Sequence, residues 1–373
     1  MKKIAILHFQ PLDLYPPVLN LIALLNQHTG FSFTVYTSAS EFKKKIGAGP
    51  HIKIKYWGVM GASASWKRLW HYVKFNAGTT LHLLYLRPST VMYYESYSAF
   101  PALVYQWIFP KTRLLVHYHE HHEPEWYEQG MKTVKWFHQL EKKMAYPKAK
   151  WISQTNRERL DMFLKNNNLL FRAERHFVVP NYPLRSWGKN NDIIKTGAEQ
   201  PVRMVYVGSF SSMHTLYIKE LMEWIKFLRG AATLDIYFFS TTPEIREWIE
   251  TLQCSDIRLM DKVDYENLPD VLKNYQVGVI IYKGVDTNFV FNAPNKLFEY
   301  LACGLDVWYP QEMKGCYEYD SPEYWPKVLR LEFNNLQQYD IQELVNRKEG
   351  HRRGMAYYYE VASEGLVKEL LTV

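Results

Sequence analysis

Short apolar runs alternate with amphipathic stretches almost from one end of the chain to the other. Lys3 to His8 shows no polar alternation, the pattern of a parallel strand covered on both faces. Pro17 to Gln27 follows as a helix, with Val18, Ile22 and Leu25 on one face. The pattern predicts further strands over residues 33–37, 91–95, 114–119, 151–154 and 177–179, and helices over 99–108, 134–144 and 156–165. The rhythm breaks between Pro180 and Pro201, where Asn181-Tyr182-Pro183, Trp187-Gly188-Lys189-Asn190-Asn191 and Thr196-Gly197 have the texture of a linker. It restarts with strands at 204–207, 234–239, 257–260 and 278–282, and the stretch from Glu343 to Leu371 reads as helix.

Strand–helix alternation on this scale predicts an α/β protein made of two Rossmann-like, doubly wound parallel-sheet domains facing across a cleft. The expected boundaries are residues 1–183 for the first domain, 184–200 for a linker, 201–345 for the second domain and 346–373 for a terminal helix packing back on the first. Open parallel sheets bind ligands beyond the carboxyl ends of their strands, so the residues just after each strand are the candidates for function.

Composition narrows the partners. A chain of 373 residues with 47% apolar and 22% charged residues supports two cores. The aromatic share of 16%, including 28 Tyr and 12 Trp, suits stacking on sugar faces as well as filling cores. The net charge of +7 is not gathered into a tract; Lys43, Lys44 and Lys45 form the single triple. With no zinc-finger or RNP-like signature, nucleic acid is not expected as a partner, whereas anionic small molecules and an anionic membrane face both fit. Cys254, Cys303 and Cys316 lack CxxC or disulfide-framework spacing, which favours a reducing compartment. No apolar run suits a signal peptide or a membrane span, so a cytoplasmic protein at most resting on a membrane surface is expected.

Two turns in the second half carry candidate chemistry. Gly208-Ser209-Phe210-Ser211-Ser212 follows the strand at 204–207, and its backbone N–H groups, with Ser209 and Ser212, can approach phosphate oxygens. An ordinary strand-to-helix turn fits the same residues; neither GxGxxG nor a P-loop is present. The second turn is Asn292-Ala293-Pro294-Asn295-Lys296-Leu297-Phe298-Glu299-Tyr300-Leu301-Ala302-Cys303-Gly304-Leu305, after a strand ending in Tyr282-Lys283. Pro294 suits the first turn of a helix and Gly304 its close. Lys296 then stands near the helix N-terminus, where an anion is already favoured, and Glu299 lies one turn on. A diphosphate and a ribose diol would suit this pair; a surface i,i+3 ion pair would have the same spacing.

The run PNKLFEYLACG, residues 294–304, resembles the nucleotide-sugar motif of GT-B glycosyltransferases with the "group 1" type of C-terminal domain. The resemblance implies that Glu299 holds the ribose hydroxyls and Lys296 contacts phosphate. The candidate nucleotide-sugar site read from the residues adds Asn295, Gly208, Ser209, Ser212 and Lys283. Val207-Gly208-Ser209-Phe210 stands where that family has its first C-terminal strand and phosphate turn, and Val178-Val179-Pro180-Asn181 is similar to its lead into the linker. Three positions depart from the family pattern. Phe291 replaces a glutamate eight residues before Glu299, Asp306 replaces a proline after the glycine turn, and no basic residue follows Gly208, leaving Lys219, Lys283 or Lys296 to supply charge.

In the first half, His117-Tyr118-His119-Glu120-His121-His122-Glu123-Pro124-Glu125 follows an apolar strand, and alternation predicts His117, His119 and His121 on one side. No usual metal-ligand spacing occurs there, and no metal is expected. A general base or acceptor-orienting group fits better, with Glu120 and His119 as candidates and Glu95 next because it also ends a strand. A solvated charged loop is the plain alternative. Residues 56–75 place Trp66, Trp70 and Phe75 on roughly one helical side beside Lys67, Arg68 and Lys74, which suits either an inward-packing helix or one approaching a lipid-linked acceptor. The resulting expectation is a metal-independent hexosyltransferase of surface-glycan synthesis, free of cofactors. It would move a sugar from a UDP- or GDP-linked donor to a glycan or lipid-linked hydroxyl acceptor, and the resemblance implies retention at the anomeric carbon. A GT-B nucleotide-sugar epimerase and a non-catalytic nucleotide-sugar-binding protein are the rival readings.

Overall fold

The structure is a computed structural model that describes residues 1–39, 49–59, 65–188, 201–210, 212–345, 351–352 and 357–372. The lysine triple at 43–45 and the linker residues 189–200 lie outside the described residues. The chain divides into two compact units, Met1–Pro180 with Tyr359–Val373, and Asn181–Tyr358. Both are Rossmann-like, doubly wound parallel sheets.

The first unit runs β1 (Lys2–Leu7), α1 (Pro16–Leu25), β2 (Phe31–Ala39), β3 (Ile52–Val59), α2 (Ser65–Leu86), β4 (Thr90–Tyr94), α3 (Ala99–Ile108), β5 (Arg113–His117), α4 (Pro124–Gln129), α5 (Lys132–Leu140), β6 (Trp151–Gln154), α6 (Arg157–Asn166) and β7 (His176–Val178). Its seven strands lie in the order β3-β2-β1-β4-β5-β6-β7 and pair in parallel throughout. The order therefore reverses between β1 and β4, whose register pairs Leu7 with Tyr93. Buried Ala5, Leu7, Val91, Tyr93, Leu114, Val116 and Ile152 fill one face of the sheet, and Ile4, Ile6, Met92 and Leu115 are buried on the other, which is why these strands are continuous apolar runs. β3 escaped the sequence reading because it is an edge strand whose Lys53 and Lys55 are exposed, a device that discourages further pairing.

The second unit runs β8 (Val202–Phe210), α7 (Ile218–Phe227), β9 (Ala232–Thr241), α8 (Pro243–Thr251), β10 (Ile257–Met260), α9 (Leu268–Leu272), β11 (Val277–Val279), α10 (Thr287–Val290), α11 (Asn295–Ala302), β12 (Asp306–Pro310), β13 (Tyr324–Trp325), β14 (Val328–Leu331), α12 (Ile341–Val345) and β15 (His351–Arg352). Six parallel strands lie in the order β10-β9-β8-β11-β12-β14, reversing between β8 and β11. Residues 185–188 form a short 3-10 turn whose Trp187 packs on Tyr265 in this unit.

Three expectations are corrected. The stretch from Glu343 to Leu371 is not one helix: α12 is Ile341–Val345, His351–Arg352 pairs with Tyr324–Trp325 as a strand, and two helices, α13 (Tyr359–Ala362) and α14 (Glu364–Leu371), lie in the first unit. There the Arg113 guanidinium meets the Glu369 carboxylate. The helix expected over 134–144 is α5 followed by a π-helical turn, Glu141–Ala145. Trp66 and Phe75 stand on opposite sides of α2, since nine residues advance a helix by two and a half turns. Phe75 is buried whereas Trp66 and Trp70 are 68% and 62% exposed. Among the described residues no helix is long and apolar enough to cross a membrane.

Candidate functional site

In the second unit, the carboxyl ends of β8 and β11 flank the reversal in strand order, and α11 begins beside them. Pro294 caps α11 from one position outside it, and Gly304 closes it at φ +82°. The N–H of Leu305 donates to the Tyr300 carbonyl and that of Gly304 to the Leu301 carbonyl, the paired bonds of a Schellman end. The helix is fixed to the sheet by Tyr300, whose hydroxyl accepts the Val207 N–H at 3.1 Å. Its ring lies so close to Gly278 that an added Cβ would overlap it, so β11 needs glycine there.

This anchoring places Lys296 over the Gly208 turn. Lys296 Nζ donates to the Tyr282 hydroxyl at 2.7 Å and lies over the rings of Tyr282 and Tyr206, 4.8 and 5.3 Å from their centroids. A Cβ on Gly208 would stand 3.0 Å from Lys296 Nζ and 2.7 Å from the Tyr206 hydroxyl. Glycine thus lets the ammonium rest against backbone. Burial opposes the charge of Lys296, but Tyr282, Tyr206 and Glu299 outweigh it and hold the ammonium above its usual range. Glu299 is 7% exposed and accepts from the Tyr265 hydroxyl at 3.1 Å. Burial pushes its carboxyl up to about 7, against the pull of that hydrogen bond and of Lys296.

Gly208, Lys296 and Glu299 are therefore brought together, with Asn295 opening the same helix. Ser209 is exposed on the turn and its carbonyl accepts from the Tyr206 hydroxyl. Ser212 and Lys283 make contacts in the β8–α7 connection: Ser212 Oγ accepts the His214 N–H, and Lys283 Nζ donates to Glu220 at 2.8 Å and to the Met213 carbonyl at 3.1 Å. Lys219 pairs with Glu223 on the surface of α7. Tyr206 and Tyr282, which cradle Lys296, went unrecognised in the sequence because a tyrosine near a strand end reads as core. Asp306 has a structural task, its Oδ1 accepting the Lys327 N–H at 2.8 Å and tying the approach of β14 to β12. Phe291 follows α10, its carbonyl packed against Gly315.

The first unit repeats this geometry with different chemistry. His8 follows β1, Glu95 follows β4, and His117 and His119 lie at the end of β5 and just beyond it. His119 stacks on Tyr94 at 4.8 Å and meets His117 edge-on at 4.8 Å. Tyr15 leans over His8 and His119, with centroids 4.6 and 5.9 Å away. Glu95 Oε1 accepts the N–H groups of His119 at 2.6 Å and Glu120 at 3.3 Å. Its backbone adopts φ +56°, a strained conformation costing about 1–3 kcal/mol and typical of functional sites. Burial, and next the charge of Glu120, push the Glu95 carboxyl up to about 8. Glu120 itself points outward, half exposed, 3.9 Å from His122.

His121 leaves this group and pairs with Glu123 at 3.6 Å, because β5 ends at His117 and alternation ends with it. It lines a small cavity with His122, His138 and Asn166. Among the described residues no three His, Cys, Asp or Glu side chains converge as a metal site. The loops after β4 and β5 rest on fully buried Glu141, which accepts hydrogen bonds from the hydroxyls of Tyr93, Ser96 and Tyr118 at 2.8, 2.5 and 2.6 Å. His8 directly follows β1, although the apolar pattern of the sequence places it inside that strand.

No family model matches the chain, and no curated protein matches it in sequence. Solved structures do match, over nearly all of both chains. A UDP-forming α,α-trehalose-phosphate synthase from Burkholderia xenovorans superposes with a TM-score of 0.66 at 13% identity, covering 100% of this chain and 99% of its own. The fold is GT-B. A protein from Anabaena, solved in complex with UDP and glucose, superposes on this GT-B chain with a TM-score of 0.61 at 12% identity, covering 100% of each. UDP-GlcNAc 2-epimerase from Methanocaldococcus jannaschii gives 0.58 at 10% identity, covering 98% and 99%. The GT-B architecture thus hosts both transfer and epimerisation among its neighbours.

Proposed function

We propose that this chain transfers a glycosyl group from a nucleoside-diphosphate sugar to a hydroxyl acceptor, and does so without a metal. The observation that carries the reading is the Lys296 ammonium resting on the Gly208 turn at the strand reversal of the second unit, with buried Glu299 one helical turn on. Negative charge develops on the departing diphosphate, and preorganised donors there contribute most to catalysis. Lys296, the N–H groups of the Gly208 turn and the exposed Ser209 are those donors. Asn295 adds the first turn of α11, and Glu299 takes the ribose hydroxyls. Glu120, with His119 orienting the acceptor, takes the hydroxyl's proton as the glycosidic bond forms; Glu95, pushed up to about 8 by burial, holds its own proton near neutral pH and is not that base. The resemblance of residues 294–304 supports a UDP- or GDP-linked donor and retention at the anomeric carbon.

Incubation with UDP-, GDP- and TDP-sugars, with and without glycan acceptors, tests this. Acceptor-dependent glycoside formation is expected. The epimerase reading, favoured by the likeness to UDP-GlcNAc 2-epimerase, predicts an epimer or free sugar with no acceptor at all, and that result would displace the proposal.

A glycan acceptor on a lipid carrier is also proposed, from the outer face of α2. Trp66, Leu69, Trp70 and Val73 are exposed there at helical spacing, with Lys67, Arg68 and Lys74 on the same helix. The first turns of α2 lie beside the carboxyl end of β3, where Gly58 packs under His71. Vesicles of phosphatidylglycerol and phosphatidylcholine are expected to co-sediment the protein, and Trp66→Ser with Trp70→Ser to release it. Equal sedimentation of the double variant, or none of the wild type, would show that this face of α2 makes no membrane contact.

A further inference from the structure

Two buried polar atoms at the strand reversal of the first unit have no hydrogen-bond partner among the described residues: Nε2 of His8 and Oε2 of Glu95. Their residues leave neighbouring strands, since β1 and β4 pair in parallel with Leu7 opposite Tyr93. His8 is 1% exposed, and its Nδ1 lies 2.8 Å from the Gln10 carbonyl. A carbonyl only accepts, so Nδ1 carries the proton and Nε2 presents a lone pair. Burial holds the imidazole down to about 4, so it stays neutral and the lone pair stays available. In Glu95 the two backbone N–H bonds occupy Oε1 and leave Oε2. Buried polar atoms are almost always satisfied, and the exceptions call for a reason.

The surroundings state what would satisfy them. Aromatic rings of Tyr15 and Tyr94 wall the His8–His119 pair. Tyr15 is the partly exposed member of this wall, sitting between Pro11 and Pro16 just before α1. An anion would meet the carboxylate of Glu120 and a second carboxyl; an apolar ligand would leave both atoms unpaired. A hydroxyl donates to Nε2, and it can donate to or accept from a carboxyl oxygen, whichever form that group holds. The aromatic rings offer flat apolar surface to the C–H face of a sugar.

We propose that His8 Nε2 and Glu95 Oε2 form a hydroxyl-binding subsite for a neutral sugar ring, with the partly exposed Tyr15 ring on its solvent side. Calling that sugar the acceptor rests on the transferase reading; the binding itself does not.

Saturation-transfer NMR on the full chain with the methyl α- and β-glycosides of glucose, galactose, mannose and N-acetylglucosamine tests the subsite. At least one is expected to bind. His8→Asn keeps a donor for the Gln10 carbonyl and removes Nε2, and it is expected to weaken that glycoside about tenfold, the worth of one hydrogen bond. Single-deoxy versions of the bound glycoside give the same test on the unaltered protein: one position should cost about tenfold. The subsite is overturned if no glycoside binds at about 50 mM, far above the millimolar range where a few hydrogen bonds would place it. It is equally overturned if His8→Asn and every deoxy analogue bind like their parents. Thermal protection by UDP- and GDP-sugars is read alongside. If glycosides bind through His8 but no nucleotide-sugar protects, the transferase reading falls and the subsite stands.

Discussion

Lys296→Met is expected to lower glycosyl transfer about 10²–10³-fold, the usual cost of removing one donor to a developing oxyanion. The loss should fall on turnover rather than on acceptor KM, because the ammonium meets charge that grows as the diphosphate departs. Methionine matches the lysine stem in length, so the fold should hold. The exposed cost is the Tyr282 hydroxyl, which loses the Nζ donor it now accepts from at 2.7 Å. Thermal unfolding of the variant separates the two effects: a midpoint near that of the wild type with the activity gone supports a catalytic role. A variant that transfers at the wild-type rate would show that Lys296 merely packs between two tyrosines.

The second large effect is on stability. Glu141→Leu is expected to destabilise the first unit by about 3–5 kcal/mol, since each buried hydroxyl deprived of its acceptor costs about 1–3 kcal/mol. Glu141 is 0% exposed, and its loss leaves the hydroxyls of Tyr93, Ser96 and Tyr118 without their shared acceptor. Glu141→Gln retains an acceptor oxygen and should cost less than half as much. Urea unfolding of the three proteins provides the comparison. Because Ser96 follows Glu95 and Tyr118 precedes His119, the leucine variant should also loosen the hydroxyl-binding loops. Equal stabilities for Leu and Gln would mean that the hydroxyls find other partners and that Glu141 does not organise these loops.

Much of the architecture could be read from the residues because strands covered on both faces are unbroken apolar runs, as at Ile4–Leu7 and Leu114–Val116. α11 was legible for a local reason: Pro294 and Gly304 mark its two ends, and a cation and a carboxylate stand between them. What escaped depended on contacts distant in sequence. The cradle of Lys296 is made by Tyr206, on β8, and Tyr282, beyond β11, some 76 residues on, and aromatic side chains carry no sequence mark that separates cradle from core. Lys283 has Glu220 at 2.8 Å, a partner 63 residues away that its own surroundings in the sequence do not reveal. Glu141 was hidden inside a helical pattern, since a π-helical turn leaves no local signature. The end of the chain misled because Tyr357 joins an aromatic cluster with Tyr182, Phe298 and Tyr319, a tertiary preference stronger than the modest helix propensity of tyrosine.

Calorimetric titration of UDP- and GDP-sugars asks whether the start of α11 and the Gly208 turn bind a nucleoside-diphosphate sugar, as proposed. The wild type should bind one of them at micromolar to millimolar Kd. Glu299→Ala should weaken that affinity about tenfold or more through the lost ribose contacts, since hydrogen bonds to an ionisable group are each worth about 1.5–3 kcal/mol. A wild type that binds neither donor series, or a Glu299→Ala protein that binds as tightly as the wild type, would contradict the proposal.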